Sequence, residues 1–156
     1  MEHREEHVSL AEAASYLLDE CRMVLPGIQA LFGFQLIAVF NARFAQELSE
    51  GEQHAHLLAV FLVAIAIALI MTPAALHRQL GVDRVTTTFI SVSTRLLLAS
   101  MVPLAFGIAL DFQVVARLLA GPAVALPLSL VLLGFFGFLW GVVPRWRALR
   151  RFLAGD

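Results

Sequence analysis

The sequence predicts an all-α membrane protein, a bundle of four transmembrane helices with an amphipathic helix ahead of it. Three observations predict this fold. The 156-residue chain is 60% hydrophobic, whereas soluble domains are roughly 45–50% apolar. Apolar windows of about 20 residues, the length that crosses the hydrocarbon core, recur along the chain. Arginines collect at alternate ends of these windows, as basic residues do in short cytoplasmic loops.

Residues 1–24 are predicted to form a cytoplasmic amphipathic helix. Ser9 and Glu12 have the S-x-x-E spacing of a capping box, and apolar residues follow at helical intervals as far as Leu25. The polar face carries Glu12, Asp19 and Glu20, and anionic lipid headgroups would repel these charges. We therefore expect this helix to dock on the bundle or on a partner. Pro26-Gly27 predicts a bend into the first span.

The transmembrane domain is predicted over residues 25–143, with spans at about 25–44, 57–76, 89–110 and 123–143, followed by an Arg-rich cytoplasmic tail at 144–156. With the N-terminus inside, Arg43 and Arg117 fall outside and the other arginines fall on the cytoplasmic side. Both termini are thus expected in the cytoplasm. The 11 basic residues include no lysine, which suggests a GC-rich prokaryotic source and a plasma (inner) membrane location.

Small residues predict where the helices pack, because lipid provides no hydrophobic drive for helix association. Gly134, Gly137 and Gly141 share one face of the fourth span. A second series, at heptad spacing in the third span, is Thr86, Ser93, Ser100 and Gly107. The glycine face suits either packing within one chain or a homo-oligomer interface. Since four helices enclose little volume, any conducting path is expected between protomers.

Polar residues inside the predicted spans are the candidates for function, because they are costly in lipid. The first span holds Gln29, Gln35 and Asn41, of which Gln35 and Asn41 are possible pathway-lining residues. Arg95 in the third span either snorkels or pairs for structural reasons, or binds an anion or a lipid headgroup. Glu20 and Asp111 lie at span edges and no carboxylate lies inside a span. That pattern counts against a self-contained cation or proton exchanger.

The remaining motifs favour no chemistry. His54 and His56 stand near three glutamates in the predicted outer loop, but H-x-H alone is a weak metal signal, and a solvated loop is the better interpretation. No nucleophile, base and orienting group occur together. We therefore expect no enzyme activity, no catalytic residue, no metal and no cofactor. A net charge of −1 and the absence of nucleotide-binding motifs exclude nucleic acid as an expected partner.

Several motifs together resemble a known family. They are Glu20-Cys21-Arg22, Pro26-Gly27-x-Gln29-x-Leu31-Phe32-x-Phe34, Phe40-x-x-Arg43-Phe44, Pro73-x-x-x-His77-Arg78, Asp83 and Arg95. This pattern resembles a family of small, four-span prokaryotic integral membrane proteins of unknown function, whose members are sometimes labelled automatically as sodium:proton antiporters. The resemblance directs attention to a polar cluster at the cytoplasmic ends of the spans, formed by Glu20, Arg22, Gln29, His77, Arg78, Asp83 and Arg95.

The sequence leaves three function classes open. The first is an ion or small-solute channel or transport protein formed by a homo-oligomer. The second is a structural or regulatory subunit that contacts a partner in a larger membrane complex through the acidic helix and the Arg-rich tail. The third is binding of membrane lipid headgroups at Arg78, Arg84 and Arg95.

Overall fold

The computed structural model describes residues 9–42, 44–81 and 85–146. This part of the chain contains four helices that are long and apolar enough to cross a membrane, which confirms the predicted all-α four-helix fold. In chain order the helices are α1 (Leu10–Val39), the short α2 (Phe44–Glu47), α3 (Glu50–Leu80), α4 (Thr87–Ala120) and α5 (Pro122–Gly137). A π-helical turn (Phe138–Val142) and a 3-10 turn (Val143–Arg145) extend α5.

The helices alternate in direction, so each end of the bundle has its own set of connections. We call the end that carries α2 the α2 end; the start of α3, the end of α4 and the start of α5 also lie there. The opposite end, with the start of α1, is the terminal end. The predicted cytoplasmic cluster belongs to the terminal end.

The start of α1 is capped as the sequence predicts. The Ser9 hydroxyl accepts the Glu12 amide at 3.3 Å, and the Glu12 carboxylate accepts the Ser9 amide at 2.9 Å. The predicted amphipathic helix and first span form one continuous helix, with Pro26 inside it. Proline removes a single backbone donor and its φ is already helical, so a long helix can continue past it.

Helices α3 and α4 form the centre of the bundle along a tightly packed seam. On α3 the buried residues follow a four–three spacing, which is the repeat of helices that pack side by side: Ala59, Val63, Ala66, Ile70 and Pro73. On α4, Ser93, Ser100 and Gly107 are buried at the predicted heptad spacing, and Thr86 caps the helix. A Cβ atom on Gly107 would lie 2.9 Å from Val63 Cγ2, so only glycine permits this approach.

The outer helices pack on this central pair more loosely. Leu17, Cys21 and Ile28 of α1 join Val63 and Ile70 of α3 in one apolar cluster. Helix α5 packs on α4, and Ala125 and Ser129 are its buried residues. The glycine face of the fourth span is open, because a Cβ atom at Gly134, Gly137 or Gly141 would have no other described segment within 4 Å.

Candidate functional site

A buried polar network joins three helices at the α2 end. His56 of α3 places its Nδ1 2.8 Å from Asp111 Oδ1 of α4 and its Nε2 3.0 Å from the main-chain oxygen of Gln35 on α1. The side-chain amide of Gln35 donates to Asp111 Oδ2 at 2.5 Å. Gln35 is 4% exposed, His56 7%, and the Asp111 side chain 18%. The network therefore ties α1, α3 and α4 together inside the bundle.

If each of these short contacts is a hydrogen bond, the number of protons in the network follows. The Gln35 carbonyl can only accept, so His56 Nε2 carries a hydrogen. Asp111 Oδ2 accepts from the Gln35 amide, so one proton lies between His56 Nδ1 and Asp111 Oδ1. The pair is either imidazolium with carboxylate or neutral imidazole with carboxylic acid, and both forms have zero net charge. Loss of this proton would leave the lone pairs of His56 Nδ1 and Asp111 Oδ1 facing each other, with the carboxylate charged.

Asp111 lies inside helix α4, which continues well past the predicted third span. Helix α4 is 34 residues long and continues to Ala120. If α4 is centred in the bilayer, Asp111 is about 11 Å from the midplane at 1.5 Å per residue, inside the half-thickness of about 15 Å. Helix α4 extends beyond the apolar run that predicts the third span, so a centred α4 would place a carboxylate inside a span where the sequence predicts none.

One acceptor in the network has no partner in the described part of the chain. Gln35 Oε1 is buried and accepts no hydrogen bond from the described residues, although buried polar atoms are normally paired. The network borders a cleft of about 460 Å³ between α1, α2 and α4, which is otherwise lined by apolar side chains such as Leu31, Phe112 and Leu118. A donor entering this cleft, such as water, is what the free amide oxygen could bind.

Short helix α2 covers the histidine. The Phe44 ring meets the His56 ring edge-on, with 5.2 Å between their centroids. A second cleft, of about 600 Å³, borders Phe44 and His56 from the other side and is lined by Glu50 and His54 at the bundle end. Phe44 thus lies between the second cleft, at the α2 end, and the buried network.

An ion pair holds α3 and α4 together beyond the network. Arg117 Nε lies 3.1 Å from Glu52 Oε1, and the Ser49 hydroxyl and amide also donate to the Glu52 carboxylate. Ser49 and Glu52 form a second capping box, at the start of α3. These contacts fix the register of the two helices that present His56 and Asp111.

The predicted polar cluster at the terminal end does not form a hydrogen-bonded network among the described residues. Arg22 pairs with Asp19 of its own helix at 3.1 Å. The His77 ring packs against Phe89 with 5.7 Å between centroids. Five of the predicted members are exposed, namely Glu20, Arg22, Gln29, Arg78 and Arg95. Asp83, like Arg84 and Arg43, lies outside the described residues.

The possible pathway-lining residues have different environments. Gln35 is buried in the network, whereas Asn41 is exposed in the turn that follows α1. His54 and His56 lie in the first turns of α3 instead of a loop, together with Glu50 and Glu52, whereas Glu47 ends α2. Among the described residues, no group of three or more metal-binding side chains could hold a metal ion.

Sequence reasoning missed His56 and Asp111 as partners, although the signal was present. His56 lies three residues before Ala59 and continues the four–three series of α3. Asp111 lies one turn after Gly107, on the heptad seam of α4. Extending the packing periodicity past the apolar windows would have brought the two residues to the same interface.

The fold and the site define a multi-pass α-helical membrane protein with a buried polar network in its bundle. The chain matches, over residues 4–144, the model of a family described as "Family of unknown function (DUF6328)". It belongs to that family. No curated protein and no solved structure matches the chain.

Proposed function

We propose that this protein is an ion or small-solute transport protein of the membrane, in which His56 and Asp111 hold a transported or coupling proton. The single observation that carries the proposal is the buried His56–Asp111–Gln35 network. Intramembrane ionisable residues are costly in lipid, and they commonly mark ion pathways and proton relays. Imidazole and carboxyl groups both bind protons reversibly, which an apolar packing contact cannot do.

Three features of the network support its use as a proton site. One proton shared between Nδ1 and Oδ1 can move from one residue to the other without leaving net charge in the bundle. The unsatisfied Gln35 oxygen beside it can bind the water that carries a proton to or from the pair. The second cleft borders Phe44 and His56 and carries Glu50 and His54 in its lining, which supports an approach to the pair from the α2 end.

Assembly into a homo-oligomer belongs to the same proposal. Helix α1 exposes a broad apolar face that includes Phe34, Ile37 and Phe40. Gln29 is exposed on the same helix and forms no hydrogen bond within the described residues, so lipid alone would leave its amide unsatisfied. A second copy packed on α1 would cover both features, and a path between copies could then continue past Gln29.

The proposal also keeps both termini in the cytoplasm of a prokaryotic cell, on the arginine bias. Cysteine labelling tests this orientation, because the native Cys21 is buried and can be replaced by alanine. His54→Cys should react with a membrane-impermeant maleimide on intact cells. Tyr16→Cys should react only after permeabilisation. The reverse pattern would overturn the orientation.

Proton flux in proteoliposomes tests the function. Purified protein is reconstituted around a pH-sensitive dye, a pH gradient is imposed, and flux is followed with each common ion present in turn. We expect flux above that of empty vesicles, lost in Asp111→Asn because an amide cannot carry the proton. Asp19→Asn makes the same chemical change at an exposed site on α1 and should keep wild-type flux. Flux equal to empty vesicles under every ion condition would refute the proposal.

A second candidate, a structural or regulatory subunit, is favoured by the start of α1. Tyr16 and Met23 are exposed there beside the acidic Asp19 and Glu20, which suits a partner with apolar and basic contacts. Purification in mild detergent should then recover a stoichiometric partner that is lost in a Tyr16→Glu, Met23→Glu variant. Recovery of the chain alone would count against this role.

A further inference from the structure

An apolar groove runs between α4 and α5 on the outside of the bundle. It has a volume of about 340 Å³, within the usual range of ligand sites. Its walls are mainly apolar side chains from the two helices: Leu98, Val102 and Phe106 of α4, and Leu133, Phe136 and Trp140 of the fourth span. Phe136 and Trp140 stack with 4.7 Å between ring centroids and form one continuous wall.

Glycine keeps this groove open. Gly137 and Gly141 line it, and no other described segment lies within 4 Å of where their Cβ atoms would be. The π-helical turn Phe138–Val142 widens the helix at the same place, and such turns are frequent at functional sites. The glycines and the π-helical turn together therefore create the groove.

One arginine lines the terminal end of the groove, and a second lies one helical turn beyond the lining residues of α4. Arg145 lines it and donates from Nη1 to the Gly141 carbonyl at 2.8 Å, which fixes the guanidinium at the groove mouth. Arg95 lies one turn before Leu98 on the same face of α4. Within the described part of the chain, neither arginine has a carboxylate partner. If α4 is centred, Arg95 is about 13 Å from the midplane, within reach of the headgroups.

We propose that the α4–α5 groove binds an anionic phospholipid of the surrounding leaflet, with an acyl chain along the apolar walls and the phosphate between Arg145 and Arg95. Guanidinium groups pair with phosphate through several hydrogen bonds at once. Trp140 lies beside Arg145, as indole rings do at the headgroup level. This site is separate from the His56–Asp111 network and does not rest on the proposed transport.

The charge around the α4–α5 groove favours a lipid as its occupant over a helix from a second copy of the chain. Residues 121–146 contain no aspartate or glutamate. A second copy packed α5 against α5 would therefore bring arginine towards arginine with no compensating carboxylate. A phosphate supplies the missing negative charge, whereas an apolar helix would bury the guanidinium groups unpaired.

Native mass spectrometry of the detergent-purified protein with added phosphatidylglycerol or phosphatidylcholine tests the proposal. We expect wild-type protein to bind phosphatidylglycerol more tightly, and Arg145→Gln to lose that affinity by roughly five- to tenfold. Arg145→Lys keeps the charge and should lose less. Arg22→Gln is the control, because Arg22 is exposed at the same end but paired with Asp19; it should bind as wild type does.

A second pair of variants tests the groove itself. Gly137→Leu should fill it and displace the lipid, while Gly134→Leu, equally open but outside the lining, should not. Equal affinity for the two lipids in wild-type protein, or equal effects of the two leucines, would overturn the proposal. If Gly137→Leu instead dissociates an oligomer with lipid binding unchanged, the groove holds a second copy and the proposal is wrong.

Discussion

Gly107→Ala should separate α3 from α4 and destabilise the bundle. The new Cβ would lie 2.9 Å from Val63 Cγ2 and 3.1 Å from the Ala59 carbonyl oxygen, against ordinary contacts of about 3.5–4.0 Å. Overpacking of this kind costs about 1–3 kcal/mol. Alanine recovers about 0.5–1 kcal/mol over glycine within a helix. The difference of the two ranges is a loss of about 0–2.5 kcal/mol in the free energy of unfolding, with a central expectation of about 1 kcal/mol.

Steric trapping in bicelles measures that free energy, and Gly137→Ala is the matched control. Gly137 is also helical, but no other described segment lies within 4 Å of its added Cβ, so alanine there should be neutral or slightly stabilising. A Gly107→Ala protein as stable as Gly137→Ala would refute the close packing of the α3–α4 seam. It would also undermine the network, since Asp111 lies one turn beyond Gly107 on that seam.

Three further changes test the α2 end. Ser49→Ala removes a capping hydroxyl from α3 and should lower the free energy of unfolding by about 1 kcal/mol; an unchanged value would contradict the cap. Arg117→Gln breaks a partly exposed ion pair with Glu52, so it should cost only about 0.2–1 kcal/mol, and the cost should shrink at high salt in equilibrium unfolding. Phe44→Ala should speed the modification of His56 by a water-soluble imidazole reagent, because the ring covers it; an unchanged rate would show that Phe44 does not shield the site.

Much of the fold could be predicted because its signals are local. The apolar windows gave the number of helices, and the capping box at Ser9 and Glu12 gave the start of α1. The heptad of Ser93, Ser100 and Gly107 gave the packed face of α4. Helix ends were less accessible, since polar turns continue a helix beyond the hydrocarbon-length window, as they do from Leu110 to Ala120.

The candidate site was harder to predict because it depends on contacts between distant segments. Gln35 was recognised as a polar residue in a span, but its partners come from α3 and α4. Whether His56 belongs to a solvated loop or to a helix seam depends on where α3 begins. The glycine face of the fourth span was recognised as well. Whether that face packs within the chain depends on how the helices are arranged, and in the structure no other described segment lies close to it.

We propose that His56 and Asp111 exchange a proton inside the bundle, and difference infrared spectroscopy of the reconstituted protein tests this exchange most directly. Stepping the pH should change a carboxylic C=O stretching band that shifts in His56→Gln and is absent from Asp111→Asn. Asp19→Asn should keep the band. A spectrum in which no carboxylic band depends on Asp111 at any pH would contradict the account, because the pair would then be a fixed structural bond.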